Sequence, residues 1–142
     1  MTEIFVINGV NLGSLGRRRP EVYGTLTLND IEKLLSDEFP EVTFEFKQTD
    51  HEGGMVDCIL GAAESAGIII NPGAWTHYSY ALHDALESVD APKVEVHLSN
   101  VQAREEWRRF SVVSPAVDAV VTGMGAFGYV AAAYLLSQGE DL

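Results

Sequence analysis

The chain has 142 residues, a formal net charge of -12 and 46% hydrophobic content. That length suits one domain and that apolar content supplies a real core, while the charge argues against nucleic acid or an anionic membrane as partner. No apolar run reaches the ~18 residues of a membrane span, and the opening MTEIFVING lacks the basic region of a secretory leader, so a cytoplasmic location is expected.

Short runs with branched or aromatic residues alternate with helical patterns. Ile4 to Asn8 reads as the first strand, and a Gly- and Arg-rich segment follows it. Thr27 and Asp30 resemble a capping box opening a helix over Leu28 to Phe39. A strand over Val42 to Lys47, a helix over Met55 to Ala66 and a strand over Gly67 to Asn71 come next. His77 to Val89 reads as a helix, Lys93 to Leu98 as a strand, and Arg104 to Arg109 as a short helical stretch. Ala116 to Thr122 and Ala126 to Ser137 supply the last strand and helix. Such alternation implies a five-stranded, mainly parallel, doubly wound sheet with helices on both faces, in a single domain spanning 1–142.

Ligands of open α/β sheets bind at the carboxyl ends of the strands, and polar residues gather there. Asn8 and Asn11 follow the first strand, Asn71 ends the third before Pro72-Gly73, and His97, Ser99 and Asn100 end the fourth. Every arginine lies in one of two clusters, Arg17 to Arg19 or Arg104 with Arg108 and Arg109. In so acidic a chain this suggests convergence on an anion, because guanidinium forks suit carboxylates and phosphates. The bland alternative pairs the second cluster with Glu105 and Glu106 on a solvated face. The first cluster, between Gly16 and Pro20, is expected in a mobile loop rather than a regular helix.

Other motifs lead elsewhere. Gly123-Met-Gly125-Ala-Phe-Gly128 matches GxGxxG, but the chain ends at Leu142 with no room for the ribose-binding acid, so close helix packing accounts better for these glycines. Walker A spacing and a GxSxG elbow are absent. His51, His77, His83 and His97 form no i,i+4 pair, which leaves a metal site weakly supported. The single cysteine, Cys58, reads as a small buried residue.

What remains looks like acid–base chemistry on a small carboxylate. Asn8-Gly-Val-Asn-Leu12, Gly16-Arg-Arg-Arg-Pro20, Tyr23-Gly24, His51-Glu-Gly53, Ile70-Asn-Pro-Gly-Ala74 with Thr76-His77, Glu95-Val-His-Leu-Ser-Asn100 and Ala103-Arg-Glu-Glu106 occur in order along nearly the whole chain. Together they resemble the type II 3-dehydroquinate dehydratases. The resemblance implies a flavodoxin-like domain, a dodecamer of four trimers, and cofactor-free, reversible dehydration of 3-dehydroquinate to 3-dehydroshikimate.

Dehydrating a β-hydroxyketone requires a base for the proton beside the carbonyl, stabilisation of an enolate, and an acid for the departing hydroxyl. Beside the resemblance, Tyr23 looks like the base. A tyrosine ordinarily titrates near ~10, so nearby positive charge is needed, and Arg18 is its expected source. His97 looks like the acid. Glu95, two residues earlier on the same strand face, would orient its imidazole. Asn11 would hold a water or the enolate oxygen. By resemblance, Asn71, His77 and the backbone of Leu98 and Ser99 would bind the carboxylate and ring hydroxyls, and Arg108 a hydroxyl. Asp84 would reach a neighbouring subunit's substrate, Arg104 would lend support from behind, and Arg17 would stay on the surface. The segment from Gly13 to Gly24 would be a lid.

The chain departs from the family pattern at Val10 (usually proline), Arg19 (usually acidic), His83 (usually arginine) and Gln102 (usually histidine). Val10 should loosen the turn below Asn11, Arg19 should add positive charge beside the base, and His83 and Gln102 bear on subunit contacts and ligand-site support. Three rivals are a binding module of the same fold, a receiver-type signalling domain and a lyase for a related cyclic acid. The presence of Tyr23, Arg18 and His97 speaks against the first, and the second needs an early acidic pocket and a late lysine that the chain lacks.

Overall fold

The computed structural model describes residues 2–139. Five strands, β1 (Thr2–Asn8), β2 (Val42–Gln48), β3 (Gly67–Asn71), β4 (Lys93–His97) and β5 (Ala119–Thr122), form one parallel sheet in the flavodoxin-like order β2-β1-β3-β4-β5. The order reverses between β1 and β3, which opens a crevice at their carboxyl ends. There Asn8 and Asn71 are register partners.

Side-chain alternation divides the core in two. Ile4, Val6, Ile69, Val94 and Val96 face helices α2 (Leu28–Glu38) and α5 (Phe127–Ser137). Ile7, Ile68 and Ile70 face α3 (Glu52–Gly61) and α4 (Tyr80–Glu87). Each side chain buried this completely contributes roughly 1.5–3 kcal/mol over its exposed state. All five residues of β3 are buried, as a central parallel strand covered on both faces requires.

The expected capping box is present. Thr27 Oγ1 accepts from the Asp30 N–H at 3.1 Å, and Asp30 Oδ2 accepts from the Thr27 N–H at 2.9 Å. Several boundaries differ from expectation. The helix expected from His77 begins at Tyr80, because Gly73–His77 forms a 3-10 turn and Ser79 caps α4 by accepting from the Leu82 N–H at 3.1 Å. The helix expected over Met55 to Ala66 spans Glu52–Gly61. Arg104 to Arg109 is not one helix: it follows the 3-10 turn Val101–Ala103 and contains a second, Glu106–Arg109. The last strand starts at Ala119 because Ser114–Ala116 is itself a 3-10 turn around Pro115, which has no N–H for a ladder.

Arg17 to Arg19 lie outside any helix, as expected, and a one-turn helix, α1 (Pro20–Tyr23), follows them. Proline at the first helical position loses no hydrogen bond, and Gly24, at φ 83°, reverses the chain directly after Tyr23. Gly128 is packed as its motif suggested. A methyl group there would meet Val96 Cγ1 at 3.1 Å.

Candidate active site

The floor of the crevice is a closed set of hydrogen bonds. Tyr129, wholly buried on α5, donates from its hydroxyl to Asn8 Oδ1 at 2.5 Å and accepts from Asn71 Nδ2 at 3.0 Å. Asn71 Oδ1 in turn accepts from the Gly73 N–H at 3.1 Å. The Asn71 amide is thereby fixed in orientation at the end of β3. One N–H of its amino group lies outside this set.

Above that floor, a crevice is walled by Arg18 and Tyr23 from the arginine segment, Asn71 and His77 from the third crossover, and His97, Leu98 and Ser99 at the end of β4. Arg104 and Arg108 close it from the following turns. Residues far apart in sequence thus meet at the strand ends, and three of them are arginines. A wider hollow also borders Tyr23, but Leu15, Leu26, Ile31 and Ala126 make it chiefly apolar. The convergent polar groups favour the crevice as the ligand site.

His97 and Glu95 form a tight pair in one wall. Nε2 of His97 donates to Glu95 Oε2, the carboxylate is fully buried, and the imidazole retains 11% of its exposure. The lining of the crevice by His97 leaves Nδ1 as the ring nitrogen available to a ligand. Burial is the largest influence on Glu95 and pushes its carboxyl upward. It is outweighed by the His97 hydrogen bond and charge and by the Ser114 and Thr76 hydroxyls, so the carboxyl lies below its ordinary value. Thr76 Oγ1 and Ser114 Oγ both donate at 2.6 Å.

His77 differs. Its Nδ1 donates to the Phe110 carbonyl at 2.7 Å, and its ring meets Trp107 edge to face at 5.1 Å. Burial lowers its pKa, the Phe110 bond partly opposes this, and the positive charges of His97 and Arg108 add to the lowering. Neutral His77 therefore offers Nε2 as an acceptor.

Tyr23 sits between two guanidinium groups. Arg18 lies 4.4 Å from its ring centroid and Arg104 lies 5.0 Å away. Arg104 Nη1 donates to Ser99 Oγ at 3.2 Å, whereas Nη2 is buried without a hydrogen-bond partner among the described residues. An unpaired buried guanidinium nitrogen is costly, so it marks where an acceptor belongs. Arg104 thus lines the crevice itself, whereas a supporting position behind it was expected. The solvated-face alternative holds only in part: Glu105 Oε2 accepts from Arg108 Nε at 2.7 Å, but Arg108 also stacks at 4.1 Å on Trp107 and lines the crevice.

Two expected site residues lie apart from these. Asn11 is exposed, holds φ 69°, and donates its backbone N–H to Asp50 Oδ1 at 2.9 Å. Asp84 is exposed on α4 and does not line the crevice of its own chain. Arg17 is exposed, as expected. Arg19 does not add free charge beside Tyr23, because its Nε pairs with Glu21 at 3.3 Å and both side chains are exposed. His83 bonds through Nδ1 to the Val112 carbonyl at 2.8 Å and through Nε2 to Glu87 at 3.2 Å. His83, Asp84 and Glu87 hold donor atoms within 4.8 Å of one another, away from the crevice. Sequence reasoning named Thr76 only as part of a motif and passed over Ser111, Ser114 and Tyr129, because a hydroxyl residue carries no mark of which distant group it bonds.

Comparison with known proteins agrees with this geometry. Residues 2–137 match the family model described as dehydroquinase class II. The 3-dehydroquinate dehydratase 1 of Agrobacterium fabrum is 49% identical over 136 residues, 94% of either chain. The 3-dehydroquinate dehydratase of Bacillus subtilis is 48% identical over 143 residues, covering 97% of this chain and 96% of that one. The crystal structure of a type II dehydroquinase from Butyrivibrio crossotus superposes with a TM-score of 0.93 at 41% identity, over 96% of this chain and 97% of that one.

Proposed function

The chain belongs to the class II dehydroquinases, and on that premise we propose that it is a hydro-lyase converting 3-dehydroquinate reversibly to 3-dehydroshikimate. The observation that carries the assignment to this crevice is the opposition of two sets of groups across it. Tyr23 lies between Arg18 and Arg104 on one side, and the His97–Glu95 pair forms the other. Elimination of water from a β-hydroxyketone needs such a division between base and acid.

Tyr23, as phenolate, takes the proton beside the carbonyl, and the two guanidinium groups stabilise the negative charge that it carries. The enolate formed is held by a donor that Asn11 supplies, directly or through water, once the Gly13 to Gly24 lid moves over the ligand. Gly16 (φ 96°), inside this lid, and Gly24 (φ 83°), at its end, hold backbone conformations that favour glycine. His97, held through Nε2 by Glu95, gives its Nδ1 proton to the departing hydroxyl. The proton taken up by Tyr23 and the one lost by His97 restore the starting state after exchange with water, so the balance needs no cofactor.

The substrate is an anionic cyclic acid, which suits the clustered arginines. Asn71 and the backbone of Leu98 and Ser99 hold its carboxylate, while neutral His77 and Arg108 take ring hydroxyls. The exposed Asp84 completes a neighbouring subunit's site in an assembly of four trimers. No helix among the described residues is long and apolar enough to cross a membrane, consistent with work in the cytoplasm on the shikimate route or in quinate breakdown.

The test is absorbance of the conjugated enone product after mixing the protein with 3-dehydroquinate, with and without a chelator. Chelator-resistant turnover is expected. A folded protein that binds 3-dehydroquinate without converting it would instead favour a binding module.

A further inference from the structure

The donor directions around Glu95 are fixed by elimination. An ionised carboxylate only accepts, and a hydroxyl has one proton to give. Thr76 commits its proton to Glu95 Oε2 at 2.6 Å, so in the 2.7 Å contact between Thr76 and Ser111 it is Ser111 that donates. Ser111 Oγ is in turn the acceptor for the Val113 N–H at 3.1 Å and the Ser114 N–H at 2.9 Å. Ser114 donates its own hydroxyl to Glu95 Oε1 at 2.6 Å. Every bond in this chain therefore points toward the buried carboxylate that holds His97.

The segment carrying both serines is itself tied down at three points. The Val112 N–H donates to the Thr76 carbonyl at 2.8 Å, His77 Nδ1 donates to the Phe110 carbonyl at 2.7 Å, and His83 Nδ1 bonds the Val112 carbonyl at 2.8 Å. Ser111 and Ser114 are thus delivered to Glu95 by a braced connector, not by freely rotating surface turns.

We infer that Ser114, directly, and Ser111, through Thr76, are positioning residues that fix the Glu95 carboxylate and so hold His97 ready to protonate the leaving hydroxyl. This rests on the reading of His97 as the acid. Charge-assisted hydrogen bonds to a buried carboxylate stabilise its anionic form. Removing one raises the proton affinity of the carboxyl itself, and a carboxylate with fewer hydroxyl donors holds the His97 proton more tightly, so both steps of the pair move upward. The other charged and titratable groups facing the pair are His77 and Arg108 across the crevice, Arg109 from the hollow behind it, and Lys93 on the same strand face. Arg104, Arg18 and Tyr23 face it from the opposite wall. None of these is altered by a serine substitution, so a change in pH dependence reads the serine bonds.

The experiment compares pH profiles of kcat and kcat/KM for 3-dehydroquinate in the unaltered protein, Ser114→Ala, Ser114→Thr and Ser111→Ala. Ser114→Ala is expected to move both limbs upward by about one pH unit and to lower kcat near neutrality about tenfold, with KM changed less than about twofold. Ser114→Thr, which keeps the hydroxyl, restores the profile. Ser111→Ala, one hydroxyl further away, shifts it the same way by less and serves alone if Ser114→Ala does not fold. A profile in Ser114→Ala that superposes on the parent, or a loss equal at every pH that threonine does not rescue, overturns the inference. Titration of the His97 imidazole by NMR reads the same shift without turnover. Absence of dehydratase activity in the unaltered protein would sink the functional reading, while the imidazole titration still decides the role of the serines.

Discussion

Asn71 Nδ2 donates to the buried hydroxyl of Tyr129 at 3.0 Å, so the last helix orients a side chain on the floor of the crevice. Burial pushes the phenol well above its ordinary range, which keeps it a proton donor to Asn8 at every working pH. Tyr129→Phe leaves the buried Asn8 Oδ1 and Asn71 Nδ2 without their phenol partner. The expected cost is ~1–3 kcal/mol, read from urea unfolding, together with a raised KM as the Asn71 amide loses its fixed orientation. Parent-like stability and KM would show that the asparagines re-pair without the phenol.

Gly73 holds φ 62°, and a methyl group on it would lie 2.9 Å from the Val10 carbonyl oxygen. Backbone atoms cannot rotate away as a side chain does. Gly73→Ala is therefore expected to destabilise by ~2 kcal/mol through strain and overpacking, and to lower activity by displacing Asn71 Oδ1 from the Gly73 N–H. Thermal unfolding and KM measured together check both parts; a Tm equal to the parent's would refute the clash.

Arg104 combines a cation over Tyr23 with a buried nitrogen awaiting an acceptor. Arg104→Gln keeps hydrogen-bonding capacity but removes the charge and the fork. A fall in kcat/KM of roughly 10²-fold is expected, the scale of losing one charge-stabilising donor. Arg17→Gln, at an exposed position, should leave the rate unchanged. Equal effects from the two variants would mean that net charge, not position, matters.

His77 is held neutral below its usual range, chiefly by burial. Between about pH 6.5 and its lower folded value, the unfolded chain binds a proton that the folded chain does not. Stability therefore falls as the pH drops through that window. Lowering the pH from 7.5 to 5.5 should reduce Tm less in His77→Gln than in the parent, and the difference between the two curves isolates His77. The opposite order would contradict the direction of the shift.

The layers of the fold were legible because β1 to β5 each carry a branched or aromatic run and the helices between them keep their period. Where the period ran through a boundary it misled. His77 and Tyr80 belong to one apolar pattern, yet Ser79, a cap visible in the sequence, starts the helix between them. Tyr23, Arg18, His77 and His97 were identifiable from motif and chemistry, and the fold brings them to one crevice. Asn11 and Asp84 were not placed in the same way. Asn11 is exposed at a left-handed backbone position, and Asp84 is exposed on α4 and does not line its own chain's crevice. The direction of a Ser or Tyr hydroxyl across the molecule depends on tertiary packing, which is why the partners of Glu95 and Asn71 came only with the coordinates.

The sheet order has a consequence for how the protein comes into being. Arg18 precedes β2, Arg108 follows β4, and Tyr129 fastens the floor from beyond β5, so no contiguous half of the chain contains a working crevice. Parallel pairings of this kind close long loops before they gain contacts, and they form late. On refolding from denaturant, helical signal should therefore recover before turnover, and the recovery of turnover times the closing of the sheet itself.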